Sequence, residues 1–156
     1  MNPQTPVSRV AVAPLSDEQP SRVPQEGRAP ERPSNAVSVE IFIPRVAAWL
    51  TTNSREHWAV TNKRTQTWRK AAWAMTKAAR LTPITGPVHV TATIHKTTRH
   101  RYDLDGHTPT VKACIDGIRQ AGLIPEDDTT VIPQLIIRAG EPRTRAGLLL
   151  RIEAAQ

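Results

Sequence analysis

The sequence predicts a domain of the mixed α/β (α+β) class, with a small mixed β-sheet and two main helices in the order β-α-β-α-β-β. Apolar residues alternate with polar ones in short stretches, which is typical of strands with one buried face. Two longer stretches between them repeat apolar residues every three or four positions, which indicates helices. At 156 residues the chain can build one such core but not two.

The first 35 residues are unlike the rest of the chain. They contain seven of the fourteen prolines and no aromatic residue. Such a segment buries too little apolar surface to offset the entropy that it loses on ordering. We therefore predict a disordered tail over residues 1–35 and a folded domain over residues 36–156.

The first strand and the first helix follow the tail. Val37, Val39, Ile41 and Ile43 alternate with Ser38, Glu40 and Phe42, and Pro44 ends the strand. The helix is predicted to begin after a cap at Asn53 or Ser54 and to run to about Arg80. Its apolar face is predicted to consist of Trp58, Thr65, Trp68, Ala72, Met75 and Ala79.

The second strand and the second helix lie on either side of a basic loop. Residues 88–95 alternate clearly, and the chain then passes through residues 96–102. Thr108 is the predicted N-cap of a helix over residues 109–121, because Pro109 suits the first helical position. Gly122 is the expected residue at the end of such a helix.

Two further strands complete the sheet. Residues 131–138 are rich in β-branched side chains, and Pro133 within them predicts an edge position or an irregular start. Residues 148–153 form the last predicted strand. Since only a short loop separates the two segments, we expect them to pair as an antiparallel hairpin.

The charge of the chain is unevenly distributed. The formal net charge is +7, and residues 55–101 carry ten Lys and Arg residues against one acid, while residues 102–128 carry six acids against two bases. A basic surface around an acidic focus suits a site that holds a polyanion and a metal ion. A solvated basic helix beside an acidic turn would give the same pattern. The residues predicted to contact DNA are Lys63, Arg64, Arg69, Lys70, Arg99 and Arg101, and Trp58 is a further candidate for ligand contact.

The acidic residues flank the second helix. Asp103 and Asp105 precede it, Lys112 lies in its first turn, and Asp127 and Asp128 follow it. Mg²⁺ prefers carboxylate and phosphate oxygens, so these residues could hold a magnesium ion beside a phosphate. An extended chain would point Asp103 and Asp105 to opposite faces, whereas a bend in the loop would let both reach one ion. Acidic turns that are merely solvated are the alternative.

The same residues carry a resemblance to a known family. The order Asp103-Leu-Asp-Gly106, Lys112-Ala-Cys-Ile-Asp-Gly-Ile118 and Gly122-Leu-Ile-Pro-Glu-Asp-Asp128 resembles the RusA family of Holliday-junction resolvases, particularly its phage-type members. The strong match covers about 27 residues, and the order and spacing of the other elements extend it weakly over residues 37–153. The chain departs from the family in having Gly106 where Asn is frequent, and in a longer connection over residues 107–110.

The resemblance implies a RusA-like fold and a homodimer that cuts branched DNA, such as a four-way junction, by Mg²⁺-dependent phosphodiester hydrolysis, with Mn²⁺ as a possible substitute. By position, it implies that Asp103, Asp105 and Asp127 bind the metal and that Lys112 faces the phosphate. Asp128 is the alternative to Asp127, because the register of the closing acids is open.

The sequence is also compatible with two other functions. A non-catalytic nucleic-acid-binding protein is the main alternative function, and a phosphohydrolase acting on nucleotides is a weaker one. Cys114 is the only cysteine and is predicted to be a small buried hydrophobic residue. The sequence contains no apolar run of roughly 18 residues, so no membrane association is predicted and a cytoplasmic location is expected.

Overall fold

A computed structural model describes residues 37–155 of the chain. The tail predicted over residues 1–35 lies outside the described residues. The observed element order is the predicted one. The elements are β1 (Ser38–Pro44), α1 (Trp58–Ala78), β2 (Val88–His95), α2 (Thr108–Gln120), β3 (Gln134–Ala139) and β4 (Gly147–Ala154), with a 3₁₀ turn (Asp105–His107) before α2.

The four strands form one mixed sheet in the order β1-β4-β2-β3. The strand β4 pairs antiparallel with both β1 and β2, while β3 pairs parallel with β2 at the edge of the sheet. The predicted fold class is therefore confirmed, and so is the edge position that Pro133 indicated.

The predicted hairpin between the last two strands is wrong. The strand β4 inserts between β1 and β2 instead of pairing with β3. The reason lies in burial: Leu148, Leu150 and Ile152 are all buried, which suits a central strand, whereas no residue of β3 is fully buried. The strand with Pro133 just before it takes the edge, where a missing backbone donor costs least.

The core lies between the helices and one face of the sheet. Side chains at matching register positions, such as Ile41, Leu150 and Ala92, point to this face and are buried. Trp68 of α1 and Ile118 of α2 complete the same core cluster. The helices approach closely at Gly117, where an added Cβ would lie 2.4 Å from the backbone oxygen of Arg69.

The first helix differs from its prediction in two respects. It begins at Trp58, and its cap is His57, whose Nδ1 accepts a hydrogen bond from the backbone nitrogen of Ala59 at 3.3 Å. Neither Asn53 nor Ser54 caps it. Trp58 is 72% exposed, Met75 is 37% exposed and Ala79 is also exposed, so these three were wrongly placed on the buried face. The buried face consists of Trp68, Ala72 and Thr76.

Trp49 explains why Trp58 is not needed in the core. Trp49 lies in the connection before α1, and its ring stacks on Trp68 with 5.1 Å between centroids. The indole nitrogen of Trp68 donates to the backbone oxygen of Ala48 at 3.1 Å. The connection thus packs on the middle of α1, at Trp68, while Trp58 at the start of the helix stays exposed.

The second helix agrees closely with its prediction. It starts one residue earlier, at Thr108, because the 3₁₀ turn leads directly into it. Thr108 is not the N-cap: its Oγ1 donates to the backbone oxygen of Asp105 at 2.6 Å instead of accepting from the helix. Gly122 has φ +82°, a conformation that glycine adopts readily at a helix end. Cys114 is buried, and burial raises the pKa of its thiol, as expected for a packing residue.

Across residues 37–155, no helix is long and apolar enough to cross a membrane.

Candidate functional site

The carboxyl groups of Asp103 and Asp105 lie side by side at the start of α2. A hydrogen bond from a protonated Asp103 to Asp105, together with repulsion between the two charges, raises the pKa of Asp103. The same hydrogen bond lowers the pKa of Asp105. The 3₁₀ turn provides the bend that lets both carboxyl groups reach one place. Two adjacent carboxylates repel each other unless a proton or a cation lies between them.

Gly106 leaves room for this arrangement. A Cβ at Gly106 would lie 3.2 Å from Oδ2 of Asp103, which is tighter than most contacts that a Cβ makes. The backbone oxygen of Gly106 accepts a hydrogen bond from the nitrogen of Thr52 at 2.9 Å. The turn is therefore tied to the connection before α1, and its small residue keeps the Asp103 carboxyl close to the backbone.

His107 holds the backbone beneath Asp103. Its Nδ1 lies 2.9 Å from the backbone oxygen of Asp103, and since that oxygen can only accept, Nδ1 is the donor. The ring packs edge-on against Trp49 and Tyr102, at centroid distances of 5.5 and 5.3 Å. Burial lowers the pKa of His107, which favours the neutral ring. This aromatic packing fixes the loop that carries the carboxyl pair.

Lys112 and Asp127 form a second group on the exposed side of α2. The Lys112 ammonium lies 2.6 Å from Oδ2 of Asp127 and 3.4 Å from Oδ1 of Asp116. The hydrogen bond to Asp127 raises the pKa of Lys112, and the same bond lowers the pKa of Asp127. Arg119 adds a further cation, with its Nε 3.5 Å from Oδ1 of Asp127. Asp127 is thus already neutralised.

Asp128 stabilises the turn after α2. Its Oδ1 accepts hydrogen bonds from the backbone nitrogens of Thr130 and Val131, at 2.8 and 3.2 Å, and from the Thr130 hydroxyl at 2.6 Å. These bonds lower the pKa of Asp128. The two closing aspartates therefore differ in their surroundings: Asp127 faces Lys112, and Asp128 caps the turn.

The predicted metal ligands divide into these two groups. Within residues 37–155, no three His, Cys, Asp or Glu side chains come together in a group that could hold a metal ion. The carboxyl pair fits a divalent cation, because Mg²⁺ is usually bound through one or two carboxylates together with waters and substrate phosphate. Asp127 is paired with Lys112 and does not join Asp103 and Asp105.

Three of the six residues predicted to contact DNA form ion pairs with acidic side chains. Arg69 donates to Oδ2 of Asp116 at 2.7 Å, and Arg64 pairs with Glu56. Arg99 lies 3.3 Å from Glu141 in an exposed ion pair. The three other predicted contacts are exposed side chains: Lys63, Lys70 and Arg101.

A basic surface lies at the end of the sheet, and the basic loop over residues 96–102 that the sequence predicted contributes to it. A cavity of about 510 Å³ is lined by Lys96, Arg99, His100, Arg101 and Tyr102, among others. The Lys96 ammonium lies 3.9 Å from the ring centroid of Tyr102. Burial lowers the pKa of Lys96, and the positive charge of Arg45 lowers it further.

Two neighbouring loops extend this surface. The backbone nitrogen of Arg143 donates to the oxygen of Lys96 at 2.9 Å, and Arg45 and Arg145 line an adjoining cavity. We call this set the sheet-end surface; it comprises Arg45, Lys96, Arg99, His100, Arg101, Arg143 and Arg145. Three chain segments contribute to it; the segment over residues 96–102 was predicted to be basic, whereas Arg45, Arg143 and Arg145 were not among the predicted contacts. Tyr102 and Leu104, the chain neighbours of Asp103, line the same cavity, so the surface reaches the segment that carries the carboxyl pair.

No protein-family model matches the chain, and no curated protein matches it either.

Proposed function

We propose that the protein is a Mg²⁺-dependent endonuclease of the RusA type, which hydrolyses phosphodiesters in branched DNA such as a Holliday junction. The observation that carries the proposal is the carboxyl pair of Asp103 and Asp105 beside the sheet-end surface. The carboxyl pair provides a site for a divalent cation, and the basic residues around it provide contacts for a polyanion.

The carboxyl pair can bind a cation only when both of its members are deprotonated. Asp103 and Asp105 would then hold the ion, and His107 keeps the backbone of Asp103 in place. A Mg²⁺ ion held there would supply polarisation of the phosphate and a lowered pKa for a water molecule. Mn²⁺ accepts the same oxygen ligands and is the expected substitute. Asp127 is the proposed third carboxylate, with Asp128 as the alternative.

The basic residues position the substrate in this proposal. Lys96 and Arg101 of the sheet-end surface contact phosphates on one side of the carboxyl pair, and Lys63 and Lys70 extend the contacts along α1. Lys112 faces the phosphate that is cut and offsets the negative charge that develops on its oxygens. Contacts of this kind fix the position of the DNA without reading its sequence.

The proposed substrate also favours a twofold assembly. A four-way junction requires two symmetric cuts, which two copies of one active site related by a twofold axis can make. The support for a homodimer is the family resemblance of residues 102–128, and the number of chains in solution is the direct measurement of it.

A second candidate is a nucleic-acid-binding protein without catalytic activity. The observation in its favour is the pairing of Asp127 with Lys112 and Arg119, which leaves two carboxylates instead of three at the proposed metal site. In this candidate the sheet-end surface binds DNA, and Asp127 has a structural role.

Cleavage of a synthetic four-way junction distinguishes the two candidates. The wild type should produce paired symmetric nicks in Mg²⁺, and Asp103→Asn should abolish the nicks while it still binds the junction. Glu153→Gln is the matched control, because this acid pairs with Arg151 on the far face of the sheet. Binding without any cutting in high Mg²⁺ or Mn²⁺ would refute the endonuclease and support the second candidate.

A further inference from the structure

A small cavity lies between α2 and the turn that follows it. Its volume is about 150 Å³. The apolar part of its lining consists of Ile115, Ile132 and Leu135, and its polar rim includes Lys112, Asp128 and Thr129. A cavity that encloses a whole small-molecule ligand measures roughly 300–1,000 Å³. This cavity is therefore suited to one planar ring, and too small for a whole nucleotide.

Leu135 gives the cavity an apolar surface that is open to solvent. Leu135 pairs in register with Val90, so the two side chains point to the same face of the sheet, towards the helices. Val90 is 1% exposed, but Leu135 is 42% exposed. A side chain on the core-facing side that stays this open favours a ligand that covers it, because apolar surface is then removed from water.

The cavity borders the carboxyl pair. Thr108 lines it, and the Thr108 hydroxyl donates to the backbone oxygen of Asp105 at 2.6 Å. Lys112, on the rim, is the residue proposed to face the phosphate that is cut. A nucleotide base that enters this cavity therefore belongs to the part of the DNA strand next to that phosphate.

We infer that this cavity receives one unstacked base of the DNA strand beside the cut phosphate. This inference rests on the proposed function and adds to it a preference for particular bases. Taking a base out of the stack costs free energy, and it costs least where the base is not held in a regular duplex. The branch point of a junction offers such bases, which links the cavity to a branched substrate.

The rim predicts which bases are preferred. Oδ1 of Asp128 is occupied by the turn, and Oδ2 takes part in none of those bonds. A carboxylate oxygen accepts hydrogen bonds from an exocyclic amino group, as it does from cytosine N4. Bases that carry an amino group, namely cytosine, adenine and guanine, should therefore be favoured over thymine.

Four junctions that differ only in the bases at the branch point test the inference. The wild type should cut the best of them roughly 10-fold faster than the thymine junction. Leu135→Trp fills the cavity and should remove this difference. Leu135→Ala is the second variant, in case the larger side chain prevents folding, and it should reduce the difference. Val37→Ala, at the opposite edge of the sheet and also exposed, should change nothing.

Each other outcome overturns one claim and not the other. Cutting at equal rates on all four junctions would refute the base site and leave the endonuclease intact. If no junction is cut, 2-aminopurine at the branch point replaces cutting as the readout. A rise in its fluorescence on binding that Leu135→Trp abolishes would support the base site, and no rise would refute it. Loss of a dimer in Leu135→Trp, seen by light scattering, would refute it too, because the cavity would then be a contact between subunits.

Discussion

The Lys112 ammonium and the Asp127 carboxylate form an ion pair with 2.6 Å between Nζ and Oδ2. The residue expected to face a phosphate is therefore already bound to a residue expected to face a metal ion. Lys112 can face the phosphate, and Asp127 can bind the metal ion, only if the ion pair between them is broken. Occupation of the metal site should thus be measurable through this ion pair.

The strength of the pair is the first prediction. A double-mutant cycle with Lys112→Met and Asp127→Asn should give a coupling free energy of about 0.2–1 kcal/mol without metal, because the lysine is largely exposed. Addition of Mg²⁺ should reduce the coupling, if Asp127 joins the ion. The exposed pair of Arg151 and Glu153 is the control, and its coupling should not respond to Mg²⁺. An unchanged Lys112–Asp127 coupling would remove Asp127 from the metal site.

The pair should also depend on pH in a defined way. The pKa of Asp127 is lowered by Lys112, so its contribution to stability is complete above the ordinary carboxyl pKa of roughly 3.9 and is lost as the pH falls through the lowered value. The pKa of Lys112 is raised, so its contribution is lost only as the pH rises through that raised value. Chemical denaturation across this range should show the coupling at neutral pH and its decline in acid.

Asp103→Asn should stabilise the protein at neutral pH in the absence of metal. The pKa of Asp103 is raised, so the folded protein holds its proton more tightly than the unfolded chain, and stability falls as the pH rises through that raised value. Asparagine can donate to Asp105 without adding a charge. The melting temperature should rise at pH 7 in the presence of a chelator, and the gain should vanish in acid.

Asp128→Asn is the matched comparison for Asp103→Asn and should act in the opposite direction. It weakens the three hydrogen bonds that Oδ1 of Asp128 accepts in the turn, so the melting temperature should fall. A lower melting temperature for Asp103→Asn at neutral pH would contradict the claim that the carboxylates of Asp103 and Asp105 repel each other.

DNA binding should depend on Lys96 more than on Arg69. Lys96→Gln should weaken binding and reduce the slope of log affinity against log salt by about 0.9, the effect of one lost phosphate contact. Arg69→Gln should leave the slope unchanged and lower the free energy of unfolding by about 1.5–3 kcal/mol, because its guanidinium is bound to Asp116. Lys77→Gln, a change of the same charge outside the sheet-end surface, is the control. A larger loss of slope in Arg69→Gln than in Lys96→Gln would contradict this assignment.

The close approach of the two helices predicts the effect of Gly117→Ala. The new Cβ would meet the backbone oxygen of Arg69 at 2.4 Å and the Cβ of Ala72 at 2.7 Å. The substitution should lower the free energy of unfolding by about 1–3 kcal/mol. Helix propensity alone predicts a gain of about 1 kcal/mol, so the sign of the change in urea unfolding separates the two expectations.

Local patterns predicted the elements, but not which strands are neighbours. The alternation over residues 88–95 and the glycine at position 122 depend on the backbone near them, and both were interpreted correctly. The place of β4 depends on β1, more than 100 residues earlier in the chain. The prediction that Trp58 is buried was wrong for a related reason, since Trp49 reaches the core from outside the helix and occupies the position beside Trp68.

The candidate site was predictable to the same extent. The sequence identified Asp103 and Asp105, but whether they meet depends on the bend of the 3₁₀ turn, which the sequence left open. The engagement of Arg69 by Asp116 joins two helices and has no sequence signal. Lys96 lies in the basic loop that the sequence identified, but Tyr102 and Arg45 come close to it only in the folded chain.

Titration of the protein with Mg²⁺ and Mn²⁺ in a calorimeter tests the central claim most directly. We expect the wild type to bind a divalent ion, and Asp103→Asn and Asp105→Asn to lose most of this affinity. Glu141→Gln, an acid that pairs with Arg99 on the sheet-end surface, should bind as the wild type does. Equal affinity of the wild type and Asp103→Asn would contradict the claim that the carboxyl pair holds the metal.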